Sequence, residues 1–371
     1  MKHIACIVAL WAFFINCNAQ PTSKLPYGAK SNEELTIYVY PGTELMAIVQ
    51  ILAGKYSDQT PSLYNEEMKT WFLPFKEHAA VKYLESFSKK LYTDFIELGW
   101  CFDNFPEVTL SVPEKIHWYG YYGKDSVIQY LNLVKQFYAD TKFWEFYHNH
   151  EKAYAAWGEA MKKKVAEKGA LQKLYNFYNS AQKGKWYIGI EPLNGWGAHA
   201  IPHIKDINSN YRDYTVYETG YFNDNATTKS EPVFSLNDND VQELLWHEGS
   251  HHMIRHLMDT YKNEILKLSS LFNKEDDGMK RNNISTWEYC LEENIVRSVV
   301  ACLIKEHLTE RRYEKEIDIQ DYMDFLYVKK IAPLIYSMFI QSKKYKSFDA
   351  LFPEILRLLK TMAALKPEKS K

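Results

Sequence analysis

His247 and His251 stand four residues apart in the stretch His247-Glu248-Gly249-Ser250-His251, with Glu248 directly after the first imidazole. Four residues of α-helix advance by ~400°, so the two rings lie ~40° apart on one face. Both can then reach one metal ion at ~2.0–2.1 Å, and the carboxylate of Glu248 falls beside a remaining coordination position. The chemistry this permits is hydrolysis, in which the metal acidifies a water and the neighbouring glutamate takes its proton. A catalytic zinc site has three protein ligands and one open position, so a third ligand must come from elsewhere in the chain.

A metzincin would place a glycine three residues after the second histidine and a third histidine three further on; Ile254 and Leu257 hold those positions and exclude that class. His252 and His256 form a second four-spaced pair. His252 is turned ~100° from His251 about the helix and cannot share its ion without distortion. Two other histidines, His148 and His150, are two residues apart and point to different helix faces, as ordinary surface or core histidines do. The remaining source is a later apolar helix beginning at Trp287. There Glu292 shares a stripe with Ile295, Val299 and Leu303, and Glu293 one with Val296, Val300 and Ile304. A carboxylate facing the packing surface of such a helix needs a partner. Periodicity leaves both acids in play.

The element that must position the motif begins at Asn237-Asp-Asn-Asp240, where Asp240 as N-cap and Glu243 three residues later resemble a capping box. The helix should run through at least Leu257. Directly before it the chain reads as short strands: Trp186–Ile190, Ala198–Ile201 and Tyr214–Glu218. Further upstream, 35–40 is strand-like, Pro41-Gly42 a turn, and Thr43 the N-cap of a helix ending at Gly54. Residues 62–98 and 126–178 read as helical, broken near Pro74 and carrying an aromatic face, and Val108–Val112 as a strand. A composition shift near Gly184 divides an N-terminal, mostly helical part (34–183) from a catalytic part (184–365), a division compatible with one compact unit. The fold class expected is α+β and predominantly helical.

A formal net charge of −2 excludes a general nucleic-acid binder, which would show a basic excess. Aromatic residues make up 15% of the chain, which helix packing can absorb in the core. Residues 1–19 carry a polar start, an apolar run from Ile4 to Ile15 and small residues before Gln20. That is the pattern of a secretory signal cut after Ala19, followed by a flexible leader at 20–33. A lipid anchor on Cys17 is the weaker alternative, since Asn16 is larger than the residue usually found there. The apolar run is too short to span a membrane, and no later segment qualifies as a transmembrane helix. Cys101, Cys290 and Cys302 then remain, at spacings that suit neither a disulfide framework nor a cysteine zinc cluster.

HEGSHH followed by W-x-x-C-L-x-E-N-I-V-R-S-V-V resembles a family of exported bacterial proteins known as a domain of unknown function with a gluzincin-type zinc-metallopeptidase site. The resemblance extends to ELMAIVQILAG and to FYADTKFWEFYHNHEKAY, most of the mature chain. In that family's pattern the glutamate stands four before the arginine, which implies Glu293 as third ligand with Arg297 following; Glu292 falls where a neutral polar residue is common. The resemblance also implies a zincin-like core, with a small, mostly antiparallel sheet packed on the HExxH helix.

The expected protein is a secreted metallopeptidase acting on a peptide or protein. One Zn2+ would be held by His247, His251 and Glu293, with Glu248 as general base. An inactive zinc- or peptide-binding relative, or a zinc hydrolase of a non-peptide amide or ester, would use the same residues. Tyr217, His199, Tyr313 and His307 are the available partners for an oxyanion.

Overall fold

The computed structural model describes residues 30–31, 35–55, 62–87, 93–114, 116, 118–179, 185–193, 198–201, 214–219, 238–272, 277–282 and 284–365. The signal and leader expected over residues 1–33 therefore lie almost wholly outside the described residues. The chain enters through β1 (Lys30–Ser31) and β2 (Leu35–Tyr38), then α1 (Pro41–Leu52), α2 (Leu63–Phe72) and α3 (Ala79–Glu85). A small hairpin follows, β3 (Phe102–Asp103) with β4 (Thr109–Leu110). Then come α4 (Trp118–Tyr122), α5 (Lys124–Asp140), α6 (Phe143–Asn149), α7 (Glu151–Glu167) and α8 (Ala170–Tyr178). Strands β5 (Lys185–Ile190), β6 (Ala198–Ile201) and β7 (Tyr214–Thr219) precede the motif helix, α9 (Asp238–Thr260). The rest is helical: α10 (Lys262–Leu266), α11 (Asp277–Arg281), α12 (Trp287–His307), α13 (Glu310–Tyr322), α14 (Val328–Ile335) and α15 (Phe348–Leu365). The fold is α+β and mostly helical.

The main sheet has the order β1-β2-β5-β7-β6. It is mixed, which corrects the expectation of a mostly antiparallel sheet: β2, β5 and β7 are parallel, and only the outer strands β1 and β6 run antiparallel to their neighbours. Parallel neighbours need a crossover long enough to carry the chain back. Between β2 and β5 that crossover is the whole block α1–α8. The sheet thus joins strands from both sides of Gly184, and one apolar core runs from Leu35 to Leu359.

Local signals explain most boundaries. The turn read at Pro41-Gly42 is instead the first turn of α1, because proline at N1 fixes a helical φ and lacks only a hydrogen that would be unpaired there. Thr43 sits inside the helix and donates its hydroxyl back to the Tyr40 carbonyl at 3.0 Å. A Cβ at Gly42 would lie 2.1 Å from the Gly99 carbonyl oxygen, so α1 meets the 93–101 segment backbone to backbone. The aromatic face of 126–178 is core: Phe137, Phe143, Phe146, Tyr147, Tyr154 and Trp157 are buried, and Phe146 meets Phe72 edge-on at 4.9 Å. Each such ring contributes roughly 1.5–3 kcal/mol through burial. Cys101, Cys290 and Cys302 are buried free thiols. Among the described residues no helix is long and apolar enough to cross a membrane.

Candidate metal centre

Helix α9 is held in one rotation by its neighbours. Trp246, fully buried, donates its indole N–H to the Ala170 carbonyl of α8 at 3.0 Å. Ile254 and Leu257, at the positions where a metzincin carries its glycine and its third histidine, are packed in the core. The N-terminal turns are tied to α13 by Arg312, which donates to Asp240 and Glu243 at 2.5 Å each. This replaces the expected capping box: the helix starts at Asp238, so Asp240 lies within its first turn, and both carboxylates are drawn to the guanidinium.

Helix α12 crosses α9 and is buried along most of its length. Thr286 caps it by accepting from the Tyr289 amide at 3.2 Å. Trp287 donates to the Ile265 carbonyl at 2.7 Å, and buried Asn294 accepts from the Tyr327 amide at 3.0 Å. These bonds fix the roll of α12, and the residue beside Asn294, Glu293, is thereby aimed at α9.

The structure brings His247, His251 and Glu293 together, with one ligand atom from each within 4.8 Å of the others. His251 Nε2 is 3.4 Å from His247 Nε2 and 3.3 Å from Glu293 Oε1, while His247 Nε2 is 3.7 Å from Glu293 Oε2. Tetrahedral ligands at zinc distances stand roughly 3.4 Å apart. Two imidazole nitrogens and a carboxylate at these separations, with His247 partly open to solvent, fit such an ion. Glu248, next in the chain, is also buried, at 6% exposure.

Glu292, the rival third ligand, has different company: its Oε1 lies 2.9 Å from His251 Nδ1. Arg297, one turn after Glu293, donates from Nε to Glu293 Oε2 at 2.9 Å and from an Nη to Gln320 Oε1 at 3.0 Å. Its guanidinium lies 3.8 Å over the Phe325 ring. Gln320 in turn donates to Glu316. Sequence reasoning missed the roles of Glu292, Gln320 and Phe325. The one available signal was the pair of adjacent acids, since each imidazole has two nitrogens to satisfy.

Burial lowers the His247 pKa to about 3; the charge of Glu293 opposes this, and those of Arg297 and His251 add to it. That imidazole is neutral, the form that ligates metal. Burial also works against charge on His251, but the hydrogen bonds and charges of Glu292 and Glu293 outweigh it and raise the pKa to about 10. Glu293 is likewise penalised by burial, yet Arg297 and the two imidazoles hold its carboxyl well below the usual carboxylate range.

Three other histidines have separate employment. His150 meets the Phe146 carbonyl at 2.7 Å and Glu67 at 2.8 Å, and His148 pairs with Glu151. His256 meets Asp349 at 3.0 Å on the surface. Of the oxyanion candidates, His307 packs against Trp246 with ring centroids 6.0 Å apart, and Tyr313 lies under the Lys305 ammonium. The side chains of His199 and Tyr217 lie outside the described residues; their backbones belong to the antiparallel pair β6–β7, which runs beside α9.

No curated protein and no solved structure matches the chain. A family model described as "Domain of unknown function (DUF4932)" matches residues 35–358, a span that contains both α9 and α12. The chain belongs to the DUF4932 family.

Proposed function

We propose that this protein is a zinc-dependent metallopeptidase of the HExxH…E type. The observation that carries the reading is the triangle of His247, His251 and Glu293, the last two buried and the first half-buried, with Glu248 adjoining it in the chain. Two histidines and one glutamate are the donor set of catalytic zinc sites that keep a fourth position open. When bound, the ion would supply Lewis acidity, lowering the pKa of water to ≈ 7 and polarising a carbonyl. His247 and His251 would hold it through Nε2, and Glu293 through its carboxylate. Glu248 takes the proton of the attacking water and delivers it to the departing amine, serving first as base and then as acid. Burial of Glu248, His251 and Glu293 strengthens the charge interactions among them.

A peptide substrate is favoured by the sheet. Strand β6 is the last in order, and among the described residues no strand pairs with its outer side. An extended chain can add to such an edge through main-chain hydrogen bonds. The secretory pattern read over residues 1–19 supports a place of action in the periplasm or outside the cell.

The test combines metal analysis with a broad peptide library. One zinc per chain and cleavage that falls roughly 10²–10⁴-fold in Glu248→Gln, with zinc retained, are expected. Absence of zinc, or cleavage unchanged in the variant, overturns the reading. Zinc without any cleavage would leave a binding protein, and cleavage of esters or non-peptide amides alone would change the substrate class.

A further inference from the structure

We infer that Glu292 is a positioning residue for the metal centre, orienting His251 without itself touching the ion. The inference rests on the zinc site proposed above and assigns a distinct duty to the second of two adjacent acids. Glu292 and Glu293 are ~100° apart about α12, so they cannot present to α9 in the same direction. The structure uses both. Glu293 lies against His251 Nε2 at 3.3 Å, and Glu292 lies against His251 Nδ1 at 2.9 Å.

A neutral imidazole has one N–H and one lone pair, and a hydrogen bond at one nitrogen decides which is which. With Nδ1–H donated to Glu292, the lone pair is left on Nε2, the nitrogen that faces His247 Nε2 at 3.4 Å. The bond also stops rotation of the ring about its Cβ–Cγ axis. The carboxylate charge makes the imidazole a stronger donor toward a cation. His247 has no such carboxylate among the contacts seen at the site, so Glu292 acts on one ligand of the two.

The helix geometry makes the arrangement mutual. Arg297 occupies Glu293 Oε2 at 2.9 Å, which turns Oε1 toward His251. Glu292 and Arg297 thus hold the ring and the carboxylate from opposite sides, and both come from the same helix that supplies the ligand.

The test uses the full mature chain loaded with zinc or Co2+. Chelator competition should show zinc affinity about 10–100-fold lower in Glu292→Ala. Glu292→Gln keeps an acceptor for Nδ1–H but no charge, and should recover part of that loss. The visible ligand-field bands of the Co2+ protein should shift in the alanine variant and stay near wild type in the glutamine variant. A residue that only stabilises α12 would lower the melting temperature without moving those bands. If both variants match wild type in affinity and spectrum, the inference falls while the zinc site stands. If the wild-type chain binds no zinc, the proposed function falls and this inference with it.

Discussion

Arg297 Nε stands 2.9 Å from Glu293 Oε2, one turn further along the same helix, and the guanidinium is held over Phe325 at 3.8 Å. A pair at this spacing on an exposed helix would contribute a few tenths of a kcal/mol. Here the acid is 5% exposed, and losing Arg297 would leave it compensated by His251 alone. Arg297→Met should therefore destabilise the metal-free protein by roughly 1.5–3 kcal/mol, the range for losing a hydrogen bond to a charged group. Arg297→Lys keeps the charge but not the planar fork, and should cost less. Urea unfolding of the chelator-treated protein checks this; a loss below about 1 kcal/mol for the methionine variant would mean that Glu293 finds its compensation elsewhere.

Zinc binding should release a proton. Without metal, Glu292 and Glu293 lie one beside each ring nitrogen of His251 and raise its pKa to about 10. A metal at Nε2 must displace that proton. Calorimetric titration at pH 7 in buffers of different ionisation enthalpy should give about one proton released per zinc. Apparent affinity should rise about tenfold per pH unit toward pH 10. Release of no proton would show that His251 is already neutral.

The same group sets a sign for metal-free stability. The folded-state pKa of His251 lies above its ordinary 6.5, so its stabilising contribution is complete below about pH 6.5 and is lost as pH rises through about 10. Saturating zinc should flatten the slope across that window, because the proton is then absent from both the folded and the unfolded state over much of it. Melting temperatures from pH 6 to 10, with and without zinc, make the comparison.

A second buried acid titrates away from the metal. Glu44, in the first turn of α1, is raised to about 8 by burial and by the charge of Glu191, against the opposing hydrogen bond from Tyr64 at 2.7 Å. The folded chain keeps this proton between the ordinary 4.5 and about 8, where the unfolded chain loses it. Stability should fall with rising pH in that window, by at most about 1.4 kcal/mol per unit. Glu44→Gln should remove this part of the slope and leave zinc content at one per chain. A slope identical in the variant would rule Glu44 out as its source.

Arg312 tests whether the start of the motif helix is held independently of the metal. Its two 2.5 Å bonds to Asp240 and Glu243 are part-buried. Arg312→Ala should cost about 1 kcal/mol in thermal or urea unfolding while zinc stoichiometry is unchanged. Loss of zinc in a folded variant would show that the N-terminal turns of α9 help to set His247.

The sequence by itself determined the local parts. The four-residue spacing puts His247 and His251 on one helix face whatever surrounds them, because helix pitch is a backbone property. Ile254 and Leu257 excluded one ligand pattern for the same reason, and the strands at 186–190, 198–201 and 214–218 were readable from alternation and β-branching. Capping was less legible: Asp240 looks like an N-cap until Arg312, 72 residues away, claims it.

Only the tertiary structure shows which of Glu292 and Glu293 lies within reach of both histidines. Helix α12 is apolar on more than one face, so periodicity cannot say which way it is rolled; the roll is set by Asn294 against Tyr327 and by Trp287 against Ile265. Both acids then meet the same imidazole from different sides, one at each nitrogen. The parallel order of β2, β5 and β7 was hidden likewise, because strand direction depends on how the intervening helices return the chain. Local chemistry placed the two histidines on one face of α9, and long-range packing chose what that face would meet.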